Sequence, residues 1–404
     1  MRDFFHKYDP VFFEFPIDGD CLNAKDAVER DGVLYIKPIV KAADNAEITV
    51  NGVAADYDAD AHTYTAEIAL RHFRNTVVAI DKKNGYRAEI VVYKLHDAVG
   101  KYFFTVDDCI LTLADLTAHP ESYPSMFDHP FLATLKEAHD RYGAPVHLNL
   151  FYSFDEAAAT RFSAHKTPFD LSMMTDRYRP EFEANADWLS LSYHAHADLP
   201  DMPMKNQSPE FLTDSIEKTH REILRFAGAR SLSPATTLHW GNGPIEALRV
   251  FRECGYRILL GSFRAIHPDE AYVSYYGRDG LPAYLRGTGK DSYDQTTVDG
   301  AGYPGRDVFK DNREDMIYCH TDMVLNLPSI KTEEIGAWID EYVAAHPTLG
   351  IMSLMIHEQY CFPDFCRAIP DTAERILSAI RHLYDKGYRG VAIEEVCLEK
   401  GLAH

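Results

Sequence analysis

Residues 102–108 read YFFTVDD, a short apolar run that stops on two adjacent aspartates, Asp107 and Asp108. Similar apolar runs recur down the chain at 146–151, 188–193, 236–240, 257–261, 316–325, 351–356 and 390–393. The segments between most of them carry helix signals. Asp128 with Pro130 opens one helix that Gly143 closes, and Ser208-Pro209 opens another that ends near Gly228. Pro244 starts a third that closes at Gly255. Asp371 with Glu374 makes a capping-box-like start for a fourth, closing near Gly387. Strands alternating with helices predict a parallel sheet, and eight short strands within a ring of helices predict a (β/α) barrel. An open doubly wound sheet is the runner-up. Residues 263–314, rich in Gly, Tyr and Asp, break the rhythm and read as a long insertion over one end of the barrel.

The first hundred residues follow another pattern. Runs at 33–40, 47–50, 64–70, 76–81 and 87–93 are rich in Val, Ile, Tyr and Thr, with hairpin signals at Asn51-Gly52 and Asn84-Gly85. They predict a small β-sandwich over residues 1–98, ahead of an α/β unit over 99–404. The stretch ITVNGVAADYDADAHTYTAEIAL followed by NTVVAIDKKNGYRAEIVVY resembles the bacterial immunoglobulin-like modules that accompany carbohydrate-active enzymes.

Composition narrows the function classes. Of 404 residues, 46% are hydrophobic and 25% charged, which is globular and excludes a disordered or collagen-like chain. The net charge of −21 argues against a protein that tracks nucleic-acid phosphates or an anionic membrane surface. No run approaches the roughly 18 apolar residues of a spanning helix. The seven cysteines are scattered with no CxxC pair, and the opening MRDFFHKYDP lacks a signal-peptide layout. A reducing, cytoplasmic setting is expected rather than secretion.

In parallel α/β architectures the site forms beyond the C-terminal ends of the strands, and polar residues collect there. After Asp107 and Asp108 come His194 and His196 in SYHAHAD, His239 in LHWGNGP, His320 and Asp322 in YCHTD, His357 and Glu358 in MIHEQY, and Glu394 in IEE. A carboxylate with two imidazoles suits a zinc-like ion with an open position for water. A second carboxylate can take the water's proton, and a histidine opposite can protonate a leaving amine. At a fraying strand end, one of the paired aspartates can reach a metal and the other the water. His194 and His196, two apart, project to one face, so either or both are candidate ligands.

These motifs resemble the polysaccharide deacetylase (NodB-homology) family. Thr105-Val106-Asp107-Asp108 matches its Thr-Phe-Asp-Asp strand end, and Leu354 to His357 matches its Leu-x-His with one extra residue. GYRGVAIEEV is similar to its close. The resemblance implies a distorted (β/α) barrel over residues 99–404 that holds one divalent metal, zinc first, with nickel and cobalt as alternatives. It implies Asp107 as catalytic base, Asp108 as metal ligand and His357 as general acid. The implied activity is hydrolysis of a C–N amide bond, N-deacetylation of an acetylated amino sugar or oligosaccharide, with a carbohydrate or other acetylated small molecule as partner.

Two departures shape the assignment. The family's His-x-x-x-His is replaced by Ser192-Tyr193-His194-Ala195-His196, so the ligands are taken as His194 and His239, with His196 as the alternative. The family's base-orienting Arg has no counterpart. Residues 241–243 can contribute N–H groups to an oxyanion hole, and His320 or Asp322 can orient His357. Asp322, Trp240, Glu358 and Glu394 are taken as orienting or substrate-contacting residues. Two other readings stand beside this one: a metal-free glycosidase using Asp107 and Glu358, and a non-catalytic carbohydrate-binding protein on a decayed deacetylase fold.

Overall fold

A computed structural model describes residues 9–201, 203–241, 243–261 and 308–399. The insertion expected at 263–314 lies outside these up to residue 307. Its last stretch holds an edge strand, Val308–Asp311.

Residues 11–94 form only strands, in three small sheets that are antiparallel except for the pairing of Cys21–Leu22 with Arg87–Lys94. The two hairpin signals turn differently. Asn51 and Gly52, at φ 48° and 82°, make a two-residue turn between Ile48–Val50 and Val53–Ala54. Gly85 (φ 75°) lies in a longer loop joining Arg74–Asp81 to Arg87–Lys94. Side chains of alternate strand residues, among them Leu34, Ile36, Val40, Val50, Val77 and Val92, close a separate core. This region abuts the edge strand: Gly19 N–H pairs with Val91 O, Lys310 N–H with Gly19 O, and Tyr93 Oη donates to Asn312 Oδ1 at 2.6 Å.

The rest is α/β. We number the parallel strands β1 (Lys101–Cys109), β2 (Val146–Phe151), β3 (Leu189–Ala195), β4 (Ala235–Thr237), β5 (Ile258–Gly261), β6 (Met316–His320), β7 (Met323–Val324), β8 (Ile351–His357) and β9 (Arg389–Gly390). One sheet runs β3-β2-β1-β8-β7, with β9 beside the start of β1; the other runs β4-β5-β6 and the antiparallel edge strand. At one seam the one backbone bridge between them, among the described residues, is Leu191–Leu232, and at the other the chain passes directly from β6 to β7. The ladders therefore form two sheets rather than one continuous ring.

Helices α1 (Leu111–Ala118), α2 (Pro130–Tyr142), α3 (Pro209–Phe226), α4 (Ile245–Glu253), α5 (Ile335–Ala345) and α6 (Thr372–Asp385) follow most strands. Their caps match the sequence signals in part. Gly143, at φ 68°, ends α2, and the Ser208 hydroxyl accepts the Phe211 N–H at the start of α3. His129, not Asp128, caps α2, because Asp128 closes the preceding turn by accepting the Ser125 N–H. Among the described residues no helix is long and apolar enough to cross a membrane, and all seven cysteines are free thiols.

Period two sorts β1. Tyr102, Phe104 and Val106 pack under the helices with Leu135, Ile376 and Leu383. Phe103 joins the opposite cluster with Ile258, Leu260, Ile317 and Ile351. Thr105 and Asp107 share that opposite face, as do His147 and Asn149 on β2 and Ser192 and His194 on β3. Polar groups therefore line the C-terminal half of an otherwise apolar interior.

Candidate metal centre

Asp107 pairs with His357 across β1 and β8. The next residue departs from the strand: Asp108 has φ +60°, and the β1–β2 register shifts between Val106 and Cys109. This left-handed residue breaks the alternation that would turn Asp108 outward. Its carboxylate instead meets His194 at the end of β3 and His239 in the tight turn after β4. The neighbouring Trp240, at φ +66°, is also left-handed. Backbone strain at two such residues is concentrated where the polar groups converge.

Asp108 Oδ1 lies 3.2 Å from His194 Nε2 and 3.5 Å from His239 Nδ1, and those two nitrogens are 3.1 Å apart. All three residues are buried. The tautomers follow from the far side of each ring. His194 Nδ1 is 2.7 Å from the Thr237 carbonyl and His239 Nε2 is 3.1 Å from the Asp198 carbonyl, so each of those nitrogens carries the hydrogen and donates it. His194 Nε2 and His239 Nδ1 then present lone pairs to each other and to a carboxylate oxygen that accepts no hydrogen bond. Three converging electron-pair donors, out of water, are costly unless a cation joins them. Carboxylate and imidazole donors are the ligand set of a zinc-like ion, and imidazoles tied to backbone carbonyls are the usual outer support of such a site. The residues fit a divalent metal.

The two imidazoles differ electrostatically. Burial disfavours the charged form of His194, but Asp107 and Asp108 outweigh it and raise that ring. Burial alone would raise the Asp108 carboxyl, but His357, His194 and His239 outweigh it and hold it below the usual carboxylate range. Burial pushes His239 down to about 3, keeping it a neutral donor. Asp107 is raised by burial against the opposing pull of His194 and His357. Asp198, beside this cluster, is raised to about 7 by burial and the charge of Asp108, while its ion pair with Arg161 opposes the shift.

The structure thus brings Asp107, Asp108, His194, His239 and His357 together. Trp240 adjoins His239, with ring centroids 6.2 Å apart. Four other expectations are corrected. His196 follows the last residue of β3, where period two no longer applies; its ring lies between Tyr152 and Phe211 and its Nδ1 meets Ser215 of α3 at 3.2 Å. It is not in the donor cluster. Asp322 accepts from Tyr342 Oη at 2.6 Å and from the Ser353 N–H at 2.7 Å, tying β8 to α5, whereas Asn326 Oδ1 takes His357 Nδ1–H at 2.9 Å. Glu358 accepts the backbone N–H groups of Ile110, Leu111 and Thr112 at 2.8–3.1 Å, so it caps α1 and is not available as a glycosidase carboxylate. Glu394 is in a terminal helix, Ile393–Cys397, near Ser233 ahead of β4. It lines a cavity of about 480 Å³ at the opposite end of the strands, because β9 pairs with the start of β1 and not its end. His320 ends β6, and Asn242 of the expected oxyanion stretch lies outside the described residues.

Sequence reasoning missed Asn149, Gln359, Asn326 and Asp198. Gln359 donates to Asp108 Oδ2 at 2.7 Å, which leaves Oδ1 facing the imidazoles. Asn149 donates to Asp107 Oδ1 at 2.7 Å. The alternation of His147 and Asn149 with Leu148 and Leu150 in HLNLF was the available signal, since it places polar side chains on an inward face.

No protein-family model matches the chain, and no curated protein does. Among solved structures it is similar to the Bc1960 peptidoglycan N-acetylglucosamine deacetylase, at 11% identity over 75% of this chain and 90% of that one, with a TM-score of 0.36. It is similar also to Agd3, a carbohydrate deacetylase, at 8% identity over 94% of this chain and 72% of that one (TM-score 0.35). A third is BA3943, a CE4 family pseudoenzyme from Bacillus anthracis, at 11% identity over 85% and 88% of the two chains (TM-score 0.31).

Proposed function

We propose that this chain is a metal-dependent hydrolase of a C–N amide bond that removes the acetyl group from an N-acetylated amino sugar or oligosaccharide. In this reading the α/β region is a distorted (β/α) barrel and the all-β region an immunoglobulin-like module. One observation carries the proposal: two imidazoles, each with its hydrogen committed to a carbonyl, aim lone pairs at the orphan oxygen of Asp108. Asp108, His194 and His239 would hold the ion, with zinc the first choice and nickel or cobalt the alternatives. Bound there, it would supply Lewis-acid polarisation of a carbonyl and a water of lowered pKa. The sugar substrate rests on the likeness of the TVDD and MIHEQY motifs to polysaccharide deacetylases.

Asp107 is the base. Burial raises its proton affinity, and Asn149 occupies Oδ1 and leaves Oδ2 for the attacking water. His357 is the acid. Asn326 holds its Nδ1–H, so the proton it delivers to the leaving nitrogen sits on Nε2. The two groups arise from paired positions of adjacent strands, which keeps their separation constant during the reaction.

The test is metal content per chain beside acetate release from N-acetylchitooligosaccharides. About one equivalent of metal, as a three-ligand site with an open fourth position takes, is expected in the wild type and none in Asp108→Ala. A protein that takes up no zinc at neutral pH would sink the proposal. Metal uptake without acetate release would favour a carbohydrate-binding role instead.

A further inference from the structure

We infer that Asn149 is the positioning residue for the base Asp107, holding it through a one-way chain of hydrogen bonds that crosses the interior; the inference rests on the hydrolase reading above. Asn149 is fully buried on β2, and its Nδ2 donates to Asp107 Oδ1 at 2.7 Å and to Thr237 Oγ1 at 3.1 Å. Among the described residues this is the one hydrogen bond that the Asp107 carboxylate accepts.

The amide cannot be turned round. Its Oδ1 accepts the backbone N–H of Thr237 at 3.1 Å, and a backbone N–H has no acceptor role to exchange. Behind it the donors line up in one direction. Ser192 Oγ gives its hydrogen to Asn149 Oδ1 at 2.7 Å. His147 Nε2 lies 3.0 Å from that same amide oxygen, which can only accept, so Nε2 carries the hydrogen and shares it with Ser192 Oγ at 2.8 Å; Ser190 Oγ then donates to His147 Nδ1 at 2.9 Å. This order needs a neutral His147 with its hydrogen on Nε2, and burial pushes that imidazole down to about 4. Each donor polarises the next, so the whole chain points hydrogen at Asp107. A neutral amide at its head fixes the carboxylate in place without the charge of a guanidinium, which would lower its proton affinity. The residues alternate with core residues on β2 and β3, so the strand period that builds the sheet also builds the support.

The experiment is a double-mutant cycle on turnover of N-acetylchitooligosaccharides with zinc-loaded protein. Asn149→Ala should lower kcat on the order of 10²-fold, the effect of a misplaced catalytic group, with KM unchanged. In an Asp107→Asn background the same substitution should cost nothing further. The visible spectrum of the cobalt-loaded protein should be the same with and without Asn149→Ala, because the ligands are untouched. A loss of equal size in both backgrounds, or an altered cobalt spectrum, overturns the inference. Ser192→Ala is the milder variant should Asn149→Ala fail to fold; its smaller kcat loss should likewise vanish in Asp107→Asn. If the wild type releases no acetate, the deacetylase reading fails separately. The cycle is then read from urea-unfolding midpoints of Asp107→Ala and Asn149→Ala. Non-additive shifts support the Asp107–Asn149 coupling, and additive shifts overturn it.

Discussion

Two neighbouring regions of this molecule bury carboxylates and treat them in opposite ways. At the start of α1, Glu358 is 1% exposed and both its oxygens are occupied by the N–H groups of Ile110, Leu111 and Thr112. At the strand ends beside it, Asp108 is 3% exposed, one oxygen is held by Gln359, and the other faces two imidazole lone pairs. The first arrangement is complete as it stands: the anion meets the positive end of a helix and its orphan N–H groups. The second gathers electron-pair donors alone, a set that suits a cation. Equal burial therefore says little about a carboxylate's role; what its lone pairs face says much more. The adjacent sequence letters His357 and Glu358 fall on opposite sides of this divide.

The comparison can be broken in several ways. The largest effect is expected from Asp107→Asn, which removes the proposed base but none of the proposed ligands. Acetate release should fall on the order of 10²- to 10⁴-fold, while metal content by elemental analysis stays that of the wild type. Surviving turnover would move the base elsewhere. Next come the two outer supports, which should part company. Glu358→Ala should destabilise folding by about 2–3 kcal/mol in urea unfolding, since it orphans buried N–H groups, and should leave zinc affinity near the wild-type value. Gln359→Ala should do the reverse, weakening zinc binding on the order of 10–100-fold in a chelator competition with a smaller change in stability. If both variants lose stability alone, the distinction between the two regions fails.

The smallest effect concerns a half-buried charge. His165 lies between Asp115 at 3.2 Å and Asp364 at 2.9 Å, and the hydrogen bond to Asp115 raises it to about 9, with Asp364 helping and burial opposing. A histidine raised in the folded state contributes stability that is complete below its ordinary value of about 6.5 and is lost as pH rises through about 9. The thermal midpoint of the wild type should fall over that window relative to His165→Gln. A constant difference between the two would show that His165 carries no proton-linked stability.

Much of this is legible in the sequence. The strand ends at TVDD, SYHAHA, LHW and MIH were visible because apolar runs of strand length stop on groups that bind metals or protons. The misreadings share a cause. His196 and Glu394 were placed by extending a strand beyond the point where the chain leaves the sheet, and Glu358 by assuming that a polar residue at a strand end faces the same way as its neighbour. Asn149 and Gln359 were missed because an amide in a strand or turn carries no chemistry of its own until its partner is known.

What the sequence by itself determined is the kind of architecture and the kinds of donor. Hydrophobic period and helix caps are local, so alternating strands and helices, and the carboxylates and imidazoles at their ends, follow from neighbours a few residues apart. Which donors meet was decided by the tertiary structure. Asp108 and His194 come from the ends of two strands and His239 from the turn after a third, and their convergence depends on sheet order, on a left-handed residue at position 108 and on two backbone carbonyls that choose the tautomers. Lone-pair direction is a property of the fold. A string of residues carries the atoms but not the angles at which they face one another.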